Sequence, residues 1–120
     1  MRRHILTIGI RGCLLNTLEN TAQKEQVQII SQSSMETAEW LLAHRRFAVV
    51  ICDLELFLQR TPNFLNEIRQ QPPYIIVIGN AGTKYDWRVE DDADLFLSYQ
   101  TPLSKLWAII TSALSSRADD

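Results

Sequence analysis

Asp53 is the residue best placed to do chemistry. It ends the apolar run Phe47-Ala48-Val49-Val50-Ile51-Cys52. Six apolar residues without alternation read as a strand covered on both faces, which belongs in the middle of a sheet. In an open parallel sheet, ligands bind at the carboxyl ends of central strands. Asp53 is therefore either a reactive carboxylate or a strand-end aspartate held by hydrogen bonds or an ion pair. Arg11 is the obvious partner for the second role, since it leaves the first strand on the same sheet edge. An opposite charge within about 4–6 Å favours an ionised carboxylate.

Other residues of reactive type carry less. Cys13 falls near a helix start, where a thiolate is stabilised. A cysteine acting on phosphate also needs an arginine a few residues on, and residues 14–19 hold none. A small hydrolase using Cys13 is the remote reading, and a small packed residue is the plainer one. Gly9 and Gly12 lack the fuller fingerprint of a phosphate loop, and nothing in the first loop would cradle a flavin phosphate. His4 opens a strand at the end of the sheet away from Asp53. His44 lies in the basic helix end His44-Arg45-Arg46, where positive charge suits the helix dipole. Neither histidine is placed as a metal ligand or base.

The elements that must position Asp53 alternate along the chain. Strands are expected at residues 4–10, 27–30, 47–52, 74–78 and 94–98. Helices are expected at 13–24, from Ser33-Ser34 to about 45, at 62–71, and from Pro102 onward. Ser33 and Glu36 have a capping-box spacing, and Pro62 suits a first helical turn. Residues 53–61 read as a loop, and 83–92 as a weak, charged segment of one or two helical turns. Leu103, Leu106, Trp107, Ile110 and Leu114 form the clearest helical stripe. Trp40 falls on the flank of the stripe made by Met35, Ala38, Leu41 and Leu42. This order implies a parallel sheet with right-handed crossovers and helices on both faces.

A chain of 120 residues with 46% hydrophobic content can bury one proper core. Residues 1–117 are expected to form one domain, with 118–120 a tail or linker start. A formal net charge of −2 offers no general attraction to nucleic acid or anionic membrane. Two cysteines are too few for a disulfide framework and fit a reducing, cytoplasmic setting. No apolar run reaches the roughly 20 residues of a membrane span, and the start has no cleavage-site pattern of a signal peptide.

On these elements the chain resembles, over nearly its full length, the receiver domain of two-component response regulators. Val49-Val50-Ile51-Cys52-Asp53-Leu54-Glu55-Leu56 looks like the phospho-acceptor segment, with Asp53 at the acceptor position. Ala93-Asp94-Leu95-Phe96-Leu97-Ser98 looks like the approach to the lysine-proline turn. The resemblance implies a three-layer, doubly wound α/β sandwich of flavodoxin-like type, with a five-stranded parallel sheet in order 2-1-3-4-5. It also implies a paired acidic site for Mg²⁺, a hydroxyl after the fourth strand, a lysine after the fifth, and an aromatic on the fifth. The acidic pair matches Gly9 and Ile10. The hydroxyl matches Gly79, with Asn80 beside it. The lysine matches Tyr99, or Thr101 if Thr101-Pro102 is taken as the turn. Only the aromatic, Phe96, is kept alongside Asp53.

The expectation is thus an atypical, non-enzymatic pseudo-receiver of a bacterial regulator, needing no cofactor. It would work by binding itself as a homodimer, or an output domain or partner protein. A transcriptional output domain beyond residue 120 is part of that expectation, with no direct nucleic-acid or membrane contact by this segment and no small-molecule substrate. Tyr85, Trp87, Phe96 and Trp107 are the expected interface or switch aromatics, since aromatics are enriched at interface hot spots. The alternative is a phospho-acceptor receiver using Asp53, which would need Mg²⁺.

Overall fold

The computed structural model describes residues 4–80 and 91–116. Its centre is a parallel sheet of β1 (His4–Ile8), β2 (Gln28–Gln32), β3 (Val49–Asp53), β4 (Tyr74–Gly79) and β5 (Leu95–Ser98), in the order β2-β1-β3-β4-β5. The expected order holds. β3 lies between β1 and β4, with Val50 opposite Leu6 and Ile75, and Asp53 opposite Ile78.

Side chains alternate across the sheet and feed two cores. Leu6, Ile8, Val50, Cys52, Ile75 and Val77 face one side. There they meet α2 (Met35–His44), the short α3 (Leu54–Phe57) and α4 (Pro62–Gln70). Ile5, Val49, Ile51, Ile76 and Ile78 face the other side, under α1 (Gly12–Lys24) and α5 (Leu103–Ser116). Double coverage is why β3 and β4 carry apolar residues at consecutive positions. β2 sits at the edge, and its residues are only partly buried or exposed.

Several boundaries differ from the sequence reading for physical reasons. β1 stops at Ile8 because Gly9 takes φ +74, which ends the extended run, and Ile10 turns into the α1/α5 core. β3 starts at Val49, two residues late: the Phe47 N–H donates to Gln71 Oε1 at 2.7 Å. Residues 53–61 are not all loop. Asp53 caps α3 by accepting from the Glu55 N–H at 3.0 Å. Four residues are too few to show a helical period. The α2 cap is Ser34, which accepts from the Thr37 N–H at 3.3 Å, so the Ser33/Glu36 spacing is not used. Thr61 caps α4, and Pro62 follows at its first position as expected.

Gln71 ties three elements together. It is 7% exposed, and its Nε2 donates to the carbonyls of Leu42 and Arg45 at 2.8 and 2.9 Å. Carbonyls at a helix end have no intrahelical partner, so this amide closes the end of α2. The expected helical turns at 83–92 lie outside the described residues except at Asp91 and Asp92. The tail at 118–120 also lies outside them. Among the described residues, no helix is long and apolar enough to cross a membrane.

Candidate functional site

Asp53 ends the central strand, and the residues just after β1, at the end of β4 and just after β5 converge on it. Together they enclose a cavity of about 320 Å³ lined by Gly9, Arg11, Asp53, Glu55, Asn80 and Tyr99, with Leu54 and Gly79 beneath. The sequence reading therefore named most of this lining. Glu55 and Leu54 were missed as lining residues, because the short helix that carries them past the strand end was not foreseen.

Both carboxylate oxygens of Asp53 are engaged. Tyr99 Oη donates to Oδ1 at 2.5 Å, and the Glu55 N–H donates to Oδ2. Burial pushes the Tyr99 phenol well above its ordinary value, and the hydrogen bond to Asp53 and its negative charge push the same way. Arg11 acts in the opposite direction on Tyr99. Arg11 lines the cavity but makes no ion pair with Asp53. The expected guanidinium partner is thus replaced by a phenol and a backbone N–H.

The positions where the resemblance expects oxygens are filled by carbon. Gly9 has φ +74, and a Cβ there would lie 2.5 Å from Leu56 Cδ1 and 3.2 Å from Asp53 Cβ. Ile10 is 3% exposed and belongs to the α1/α5 core. A Cβ on Gly79 would lie 3.0 Å from Leu54 Cδ2 and 3.2 Å from Phe96 Cζ. Leu54, Leu56 and Phe96 have closed in on the two glycines. Mg²⁺ takes oxygen ligands in near-octahedral geometry. The side chains at Gly9 and Ile10 offer none, which leaves Asp53, Glu55 and Asn80 as the side-chain carboxylate and amide oxygens of the lining. Among the described residues, no group of three or more His, Cys, Asp or Glu is placed to hold a metal.

Cys52 precedes Asp53 and is fully buried, and burial, with the Asp53 charge behind it, pushes its thiol far up. It is inert in that state. Cys13 is exposed in the first turn of α1, away from this lining. Thr101 sits in the turn after β5, its N–H on the Ser98 carbonyl at 3.0 Å, and does not line the cavity. Of the expected interface aromatics, Phe96 packs on the α2/α4 core and Trp107 on the α1/α5 core, both partly buried. Tyr85 and Trp87 lie outside the described residues. Among the described residues, the exposed aromatic is Trp40, whose stripe position gave only a flank.

A clamp joins this region to the approach to β5. Arg60 Nη2 lies 2.7 Å from Asp92 Oδ2 and its Nε donates to the same oxygen at 2.9 Å. The guanidinium also donates to the Phe57 carbonyl at 3.0 Å and stacks 4.6 Å from the Phe57 ring centre.

The fold is that of a response-regulator receiver domain. The chain is similar to the receiver domain of an HD domain-containing protein from Pseudomonas fluorescens Pf-5, with TM-score 0.75 and 20% identity over 100% of each chain. It is also similar to the receiver domain of a putative Luxo repressor protein from Vibrio parahaemolyticus, with TM-score 0.76, 18% identity, and 97% and 92% of the two chains covered. A third similar structure is the beryllofluoride-activated NtrC4 receiver domain dimer, with TM-score 0.74, 17% identity, and coverage of 95% and 98%. At these identities the likeness is one of fold. No protein-family profile matches the chain. No curated protein matches it either.

Proposed function

We propose that this chain is a pseudo-receiver, a signalling module that works by protein association without phosphoryl transfer. The observation that carries the reading is the state of Asp53: Tyr99 holds one carboxylate oxygen and the Glu55 N–H holds the other. An acceptor aspartate needs a cation beside it to offset the charge that gathers as it attacks phosphorus. Here a neutral phenol stands where the family's lysine is expected, and Leu56 fills the room beside Gly9.

The module's work is then to bind a second copy, an output domain or another protein. The structurally similar NtrC4 receiver domain is a dimer in its beryllofluoride-activated form, and that supports self-association here. Transcriptional control through an attached output domain is the further expectation of the same reading.

Titrating Mg²⁺ while recording the side-chain NMR signals of Asp53 and Tyr99 tests this. No saturable change is expected. A saturating shift at Asp53 at millimolar Mg²⁺ or below would restore the phospho-acceptor reading.

A further inference from the structure

The surface formed by α2 and α4 has no part in the Asp53 cavity. Trp40 stands out from it at 62% exposure. Its ring is nonetheless fixed: it stacks on His44 with ring centres 4.3 Å apart, and the His44 Nδ1–H donates to the Trp40 carbonyl at 2.7 Å. The helix beneath is braced to α4. The Glu39 carboxylate accepts from the Thr61 hydroxyl and, at 3.4 Å, from the Asn63 amide. A bare, immobilised indole on a rigid helix pair has the character of an interface anchor, since little rotamer entropy remains to be lost.

The groove between the two helices changes charge along its length. Toward the start of α2 it is lined by Glu36, Glu39 and Trp40. Toward the end of α2 it continues past His44, Arg45 and Arg46. Ala43 and Glu67 line both halves. A purely basic partner would satisfy the acidic half and be repelled by the other. A second copy turned end for end satisfies both.

We infer that this strip is a homodimer interface in which two α2 helices pack antiparallel about a two-fold axis near Trp40. The axis reverses the strip, so Glu36 of one copy faces Arg46 of the other, twice, and the two indoles meet between them. A parallel arrangement would set like charges opposite one another. The inference rests on the association reading above, but it names a different face from the one around Phe96 and Trp107. Ten residues make α2 roughly 15 Å long, so the strip is at the small end of specific interfaces and the dimer is a weak, reversible one.

Sedimentation of the full chain, run from roughly 10 to 500 µM at low salt, reads this directly. A reversible monomer–dimer equilibrium is expected. Trp40→Ser, Glu36→Lys and Arg46→Glu should each weaken it by about tenfold or more, with unchanged circular dichroism. Mixing Glu36→Lys with Arg46→Glu should restore a heterodimer, because both charge pairs become opposite again. A chain that stays monomeric, a dimer indifferent to all three changes, or a mixture that fails to associate would each overturn the interface. A monomer that also takes no phosphoryl group from a donor leaves the pseudo-receiver reading in place. A monomer phosphorylated at Asp53 removes both.

Discussion

Tyr99 Oη and Asp53 Oδ1 lie 2.5 Å apart, joining the end of β5 to the end of the central strand across 46 residues of sequence. The phenol donates and the carboxylate accepts. A charged acceptor makes this one of the stronger kinds of side-chain hydrogen bond. It places a neutral donor on Oδ1, at the position where the resemblance expects a lysine.

Removing that donor should cost stability. Tyr99→Phe keeps the ring packed on the α1/α5 core and strips Asp53 of one partner. A loss of about 1–2 kcal/mol in urea unfolding is expected, discounted for the half-exposed setting. The pH dependence has a definite sign. The phenol's pKa is raised in the folded chain, so its contribution is complete below the ordinary value of 10.0 and fades as pH climbs through the folded value. The buried Cys52 thiol, also raised, adds a loss of the same sign that starts above its ordinary value of 9.0. Stability should therefore decline on the alkaline side, and Tyr99→Phe with Cys52→Ala should flatten that decline.

Restoring the missing acid should fail on steric grounds. Gly9→Asp puts a Cβ at 2.5 Å from Leu56 Cδ1 on a backbone with φ +74. The expected penalty is about 2–4 kcal/mol, read as a fall in Tm. Leu56→Ala in the same chain relieves the contact and not the backbone, so the double change should recover only part of the loss relative to Leu56→Ala alone.

The sheet was legible because burial on both faces leaves no choice of residue type. Val49 to Cys52 and Ile75 to Ile78 are at most 5% exposed, and their apolar runs announce it. The helix after β5 was legible from the spacing of Leu106, Ile110 and Leu114. The site was legible as a set of positions and not as a set of interactions. Gly9, Arg11, Asp53, Gly79, Asn80 and Tyr99 do come together. Tyr99 read as a lost charge, whereas its hydroxyl is a working donor. Arg11 read as the neutralising partner, because charge is visible in a sequence and side-chain direction is not. Gly9 and Gly79 read as vacancies, yet Leu54, Leu56 and Phe96 occupy the space.

Gln71 was read as the last residue of a helix, and its three hydrogen bonds span 24 to 29 residues, beyond any local pattern. Gln71→Leu leaves the Phe47 N–H and two carbonyls at the end of α2 without this partner. A loss of about 2–4 kcal/mol is expected by chemical denaturation, with amide exchange at Phe47 accelerated.

Thr7 should respond in the opposite direction. It is fully buried in β1, and its hydroxyl finds no hydrogen-bonding partner among the described residues. Thr7→Val keeps the shape and removes the desolvated group, so Tm should hold or rise, by up to about 1 kcal/mol of added stability.

The most direct test is to incubate the purified chain with a small phosphodonor and Mg²⁺ and then measure its intact mass. An unchanged mass is expected, in the chain as it stands and in Asp53→Ala alike. A gain of one phosphoryl group that disappears in Asp53→Ala would contradict it, and would make Tyr99 a gate on a working acceptor.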